Sequence, residues 1–226
     1  MKWYLIANII TWLCAFGSFI YGAVVFFRPK KAVYAQMITL FAGCISFSRL
    51  YQVVRLITIG DVLKHFQLGV VGVVGGLLFL FSANFGVMDS IADDGSKALM
   101  KYRLIPLAAP ILITGLYVGL ILPGDFPSFT KIVSGVICAV AACASYYNLK
   151  HLIFPDVDFG VIKCLKTYNF LALVFEFLCV AEVIANSRGN ETAVLIIGVL
   201  MGAVLIAVVP AVERGIKKWT TCSISS

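Results

Sequence analysis

Charge is scarce in this chain, and acid is scarcer than base. Charged residues make up 13% of the 226, where a soluble domain carries roughly a quarter. Eleven residues are acidic, and histidine occurs twice, as His65 and His151. Two distant histidines exclude a histidine-rich zinc centre, and neither His-Glu-x-x-His nor Gly-x-Ser-x-Gly is present. No pair of aspartates falls within an apolar stretch, so intramembrane aspartyl proteolysis also lacks its parts. The cysteines at 14, 44, 138, 143, 164, 179 and 222 show no metal-type spacing. None falls in a segment read below as outward-facing, so no structural disulfide is expected. The expectation is a protein with no enzymatic activity, no cofactor and no metal.

What fills the space is apolar. Hydrophobic residues reach 61% and the mean hydropathy is +1.00. The charges are clustered, leaving apolar runs near 3–27, 33–57, 66–88, 104–122, 130–148, 168–187 and 193–212. A bilayer-crossing helix needs about 20 predominantly apolar residues, and in lipid a helix satisfies its own backbone groups. The fold class expected is an all-α integral membrane protein, a seven-transmembrane-helix bundle forming one domain over 1–226. The first run is too long for the core of a typical signal peptide, and no convincing small-x-small site precedes Arg28-Pro29-Lys30-Lys31. It is read as the first helix.

Lysine and arginine give these runs a direction. Arg28/Lys30/Lys31, Lys97/Lys101/Arg103, Lys150/Lys163/Lys166 and Arg214/Lys217/Lys218 follow runs 1, 3, 5 and 7, whereas Lys2, Lys64, Lys131 and Arg188 lie at the other ends. Twelve against four, alternating without exception, puts the N-terminus outside and the C-terminus in the cytoplasm. The basic pI of about 9.1 then reflects anchoring on an anionic leaflet of the cell membrane. No nucleic-acid partner is needed to explain it. Trp3 and Trp219, near opposite faces, suit interfacial anchoring.

Small residues recur where helices would pack. Gly69, Gly72, Gly75 and Gly76 line the third run, Gly115 and Gly119 the fourth, and Gly198 and Gly202 the seventh. Such spacing lets helix backbones approach closely, within one chain or between subunits. Pro106 and Pro110 open the fourth run and Pro210 lies late in the seventh, where each removes a backbone donor.

Ionisable residues inside apolar runs are the strongest functional pointer. Here they are Arg49 and Arg55 in the second run, and Glu176 and Glu182 in the sixth. Ser46, Arg49, Gln52 and Arg55 recur every third residue and form one polar stripe, which lipid would penalise and the bundle interior would accept. At 1.5 Å per residue, Arg49 lies about 24 Å from the start of its run and Glu182 about 21 Å from the start of its own. The two are level, so a pair between them is expected. Arg55, about 33 Å up, is expected to snorkel outward. Glu176, about 12 Å up, stands alone near the depth of Ser82 and Asn84.

Three readings of these groups remain open. One is an Arg49–Glu182 pair that fixes helix register. Another is an outward-opening site at Arg49, Gln52 and Arg55, where arginines could hold a small anionic ligand by charge-assisted hydrogen bonds. The last is a proton or ion path through Glu176 and Glu182. Asp93-Asp94-Gly95-Ser96-Lys97, Asp156 and Asp158 read as exposed turns. Asn190-Glu191-Thr192 is a glycosylation sequon, discounted because it abuts the seventh run.

In outline, seven runs with the N-terminus outside resemble rhodopsins and heptahelical receptors. The absence of lysine between Leu195 and Pro210 excludes a retinal Schiff base in the last run. The functional expectation is a non-enzymatic receptor or sensor-type module, embedded in the lipid bilayer and acting through a cytoplasmic protein partner. The alternatives are a small-solute or ion transporter or channel, and an accessory membrane subunit of a larger complex.

Overall fold

A computed structural model describes residues 2–27, 32–60, 68–85, 97–154 and 164–224. Helix accounts for almost all of them, and no strand occurs among the described residues. The helices are α1 (Lys2–Phe27), α2 (Val33–Thr58), α3 (Leu68–Phe85), α4 (Lys97–Ile121), α5 (Ser128–Ile153), α6 (Lys166–Ser187) and α7 (Glu191–Ile224). Six are long and apolar enough to cross a membrane, and α3 is the shorter one. The ends of the expected 66–88 run lie outside the described residues, as do His65, Asp93, Asp94, Asp156 and Asp158.

Two boundaries differ most from the sequence reading. Helix α4 starts at Lys97 rather than 104, because Pro106 does not begin it. The tighter turn Ile105–Leu107 absorbs the donor that Pro106 lacks, and the helix resumes at Ala108. Near its end the chain widens into a π turn over Tyr117–Ile121, with Leu122 N–H bonding Tyr117 O at 3.0 Å. Helix α7 runs to Ile224 rather than 212, with Pro210 inside it. Beyond that proline, Glu213 and Lys217 pair at 2.6 Å one turn apart, which supports continuation of the helix.

The link from α6 to α7 is compact. Gly189 takes φ +64°, a left-handed conformation that favours glycine. Asn190 N–H bonds Ala185 O at 3.0 Å and Gly189 N–H bonds Asn186 O at 3.1 Å, closing α6 with a Schellman motif. The Asn190 side chain then caps α7, its Oδ1 accepting from Ala193 N–H at 3.0 Å. The sequon asparagine is thus engaged as a helix cap.

Packing neighbours run α1–α2–α3–α5–α6–α7 and back to α1, a closed ring of six helices. Helix α4 lies outside the ring, against α5. Glycine makes the tight crossings. A Cβ at Gly72 would sit 2.7 Å from Ser48 Cβ and 2.9 Å from Cys44 O, so α2 and α3 meet almost backbone to backbone. Gly198 and Gly202 receive Ala7 and Cys14 of α1 in the same way. Gly115 and Gly119 of α4, by contrast, face open space.

Burial follows the membrane pattern. Phe47, Ile57, Ile111, Val24 and Ile132 point outward, while Asn8, Arg49, Asn148, Glu176 and Glu182 are buried. Apolar side chains face lipid, and polar ones find partners inside the ring. This is the architecture of a multi-pass membrane protein. Within the ring, Phe41 of α2 and Phe175 of α6 meet edge to face, their centroids 4.9 Å apart. Both are fully buried, and they form part of the main apolar core.

Candidate functional site

The polar stripe of α2 faces inward. Arg49 is 3% exposed and forms a two-pronged ion pair with Glu182 of α6. One prong, Nη1 to Oε1, measures 2.5 Å. The same Nη1 donates to Gln52 Oε1 at 3.1 Å and to Asn8 Oδ1 of α1 at 3.2 Å. Nη2 also lies 3.8 Å from the Met201 sulfur of α7. Helices α2 and α6 are not neighbours in the ring, so the pair crosses its interior.

The crossing is built by register. Arg49 lies two turns beyond Phe41, and Glu182 lies two turns beyond Phe175. The parallel helices α2 and α6 therefore touch twice, once through rings and once through charges. The pairing expected from depth matches this geometry.

Beside the pair lies a pocket. It is bounded by Tyr4 and Asn8 of α1, Arg49, Gln52 and Arg55 of α2, Val70 and Val73 of α3, Phe129, Ser134 and Ile137 of α5, and Cys179, Glu182 and Asn186 of α6. Its walls are largely aliphatic and aromatic, with polar atoms concentrated on α1, α2 and α6. It sits at the end of the bundle that holds the start of α1 and the end of α2.

Arg55 departs from expectation. It is 8% exposed and lines the pocket instead of snorkelling out. No carboxylate among the described residues pairs with it, and its buried Nε has no partner. Tyr4 Oη and Asn186 Oδ1, also on the pocket wall, are likewise buried without partners. Two guanidinium groups and one carboxylate line the same space, an excess of one positive charge among the described residues.

Glu176 and Asn84 lie elsewhere. Glu176 is fully buried, and Asn148 Nδ2 of α5 donates to its Oε1 at 2.6 Å. Asn84 Nδ2 bonds back to Leu80 O at 3.0 Å within α3. Neither residue lines the pocket. Glu176 finds its hydrogen bond on α5, where the sequence reading had looked to α3.

Several site residues escaped the sequence reading: Tyr4, Asn8, Asn186, Asn148 and Met201. One signal was there to be read. Tyr4, Asn8 and Thr11 recur at helical spacing in the apolar run of α1, and an asparagine inside a span needs a partner. Asn186 follows Glu182 by one turn on the same face. Among the described residues no three or more histidine, cysteine, aspartate or glutamate side chains cluster so as to hold a metal ion. Family models, curated proteins and solved structures return no match to this chain.

Proposed function

We propose that this protein is a non-enzymatic, seven-span membrane module of receptor or sensor type. Its N-terminus lies outside, its C-terminus lies in the cytoplasm of the cell membrane, and it binds a small organic anion from the outer side. The topology rests on the twelve-to-four distribution of basic residues. On that topology the pocket opens outward.

The observation that carries the ligand assignment is Arg55, a buried guanidinium with no carboxylate partner among the described residues, lining an apolar-walled pocket. A carboxylate entering between Arg55 and Arg49 would gain charge-assisted hydrogen bonds and neutralise the excess charge. The aliphatic walls favour an anion with an apolar body.

Signalling follows from the position of Arg49. An anion that bonds its guanidinium competes with Glu182 for the same donors, loosening the contact that ties α2 to α6 across the ring. The ring contact at Phe41 and Phe175 would remain. The outer halves of α2 and α6 would separate more readily than the inner halves, and a cytoplasmic partner would read the shift at the basic inner ends.

A thermal-shift series tests the reading. Purified protein in detergent is titrated with carboxylates of increasing aliphatic chain length at constant ionic strength. Stabilisation that grows with chain length and is lost in Arg55→Gln is expected. Failure of every carboxylate to stabilise the wild-type protein would refute it.

A further inference from the structure

The pocket leaves the most deeply buried acid unexplained. Glu176 is 0% exposed, and its carboxylate accepts one hydrogen bond, from Asn148 Nδ2. Its second oxygen, Oε2, is buried without a partner. No basic side chain among the described residues forms an ion pair with it. It sits ten residues into α6, about 15 Å along the helix, so it falls near the middle of a hydrocarbon core about 30 Å thick. An uncompensated carboxylate at that depth is the costliest kind of group to leave unsatisfied.

The atoms around it are oxygens with spare capacity. Asn148 is 0% exposed, and because its Nδ2 donates to Glu176, its amide oxygen is held close by covalent geometry. That oxygen, Oδ1, is also buried and unpartnered. Tyr168, lower on α6, is 3% exposed and its buried hydroxyl has no partner. Hard cations take oxygen ligands of these kinds, namely carboxylate, amide carbonyl and hydroxyl. One carboxylate, with no second acid bonded to it among the described residues, matches a single positive charge.

We propose that Glu176 and Asn148 form a binding site for a small monovalent cation, sodium, inside the helical ring beneath the anion pocket. The ion would be held by Glu176 Oε2 and Asn148 Oδ1. Cys179, one turn above Glu176, lines the pocket, so the two sites are stacked along one face of α6. Coupling-ion sites near the bilayer midplane are a recurrent feature of small-solute transporters. Sodium here would favour the transport alternative. The site stands independently of the anion reading, since neither Arg49 nor Arg55 contributes to it.

The test uses purified full-length protein in detergent. Thermal midpoints are measured in sodium chloride and in N-methylglucamine chloride of equal ionic strength, at several fixed pH values. Sodium at a hundredfold excess over its dissociation constant should raise the midpoint by about 5 °C or more, saturably and at every pH where the protein is folded. Glu176→Gln, which keeps the shape and the Asn148 contact, should fold and lose the sodium response. Asn148→Ala should weaken the response by about tenfold or more in apparent affinity. If either variant fails to fold, radioactive sodium binding to the wild-type protein still decides the matter. Absence of a sodium-specific shift or of saturable binding in the wild type overturns the site. So does a shift that persists in Glu176→Gln, or a response that follows pH alone.

Discussion

The Arg49–Glu182 pair gives the sharpest energetic prediction. Arg49 is 3% exposed and Glu182 9%, so each charge relies on the other for most of its compensation. Removing one partner of a buried pair strands the other and costs about 3–5 kcal/mol. For a chain of this size each kcal/mol moves the melting midpoint by about 2–4 °C, so Arg49→Ala or Glu182→Ala alone should lower it by about 6–20 °C. Arg49→Ala also unbinds Asn8 and Gln52, which pushes its loss toward the upper part of that range. The double variant Arg49→Ala/Glu182→Ala strands neither charge and should recover much of the loss. The assay is a double-mutant cycle by thermal denaturation in one detergent, with ligand absent. Losses that add to within about 0.5 kcal/mol would mean that the residues act independently, and the crossing contact would have to be abandoned.

Three further outcomes are expected. Single cysteines at Gly124 and Gly189 should react with a membrane-impermeant reagent in intact cells, and those at Gly95 and Ser226 only after permeabilisation; external labelling at position 95 would overturn the seven-span topology. Gly72→Ala, which would place a Cβ 2.7 Å from that of Ser48, should cost about 1–3 kcal/mol. Gly115→Ala, which meets nothing within 4 Å, should instead be neutral or stabilise by up to about 1 kcal/mol; equal effects at both positions would contradict the helix packing. Asn190→Ala should lower stability by about 0.5–2 kcal/mol through the lost cap, and an unchanged melting midpoint would show that the cap contributes nothing.

Much of the helical layout could be read directly because lipid imposes a simple code. Long uncharged runs must be helices, and their lengths are set by the bilayer. Reading failed at the ends, where the code lapses. Lys97, Lys101 and Arg103 lie within a helix that apolar counting starts later, since basic side chains at a helix end reach toward the interface without breaking it. Pro210 removes a backbone donor near the end of the seventh run, yet the helix passes through it and on to Ile224. The glycine rows divide in a way spacing alone does not reveal: the same Gly-x-x-x-Gly pattern packs tightly in α7 and meets nothing in α4.

The candidate site was legible only where two helices run in the same direction. Helices α2 and α6 both start at the same face, so counting residues from their starts put Arg49 level with Glu182, and Phe41 meeting Phe175 follows from the same register. The partner of Glu176 lies on α5, which runs the opposite way, so its depth must be counted from an end that sequence locates poorly. Asn148 is five residues from the last residue of that helix, Ile153, and an error of two residues there moves it by about 3 Å. Arg55 fails for another reason. Depth alone allowed it to reach water, but depth says nothing about which way a side chain turns. The inward stripe that includes Arg49 also carries Arg55, two turns above Ser48, whose Oγ donates to Gly69 O at 2.5 Å and holds α3 against α2. With α2 turned inward at Ser48 and Arg49, a guanidinium two turns above Ser48 on the same face enters the ring with it. The helix rotation that makes the ion pair therefore also leaves a second cation in the pocket beside it, with no carboxylate partner among the described residues.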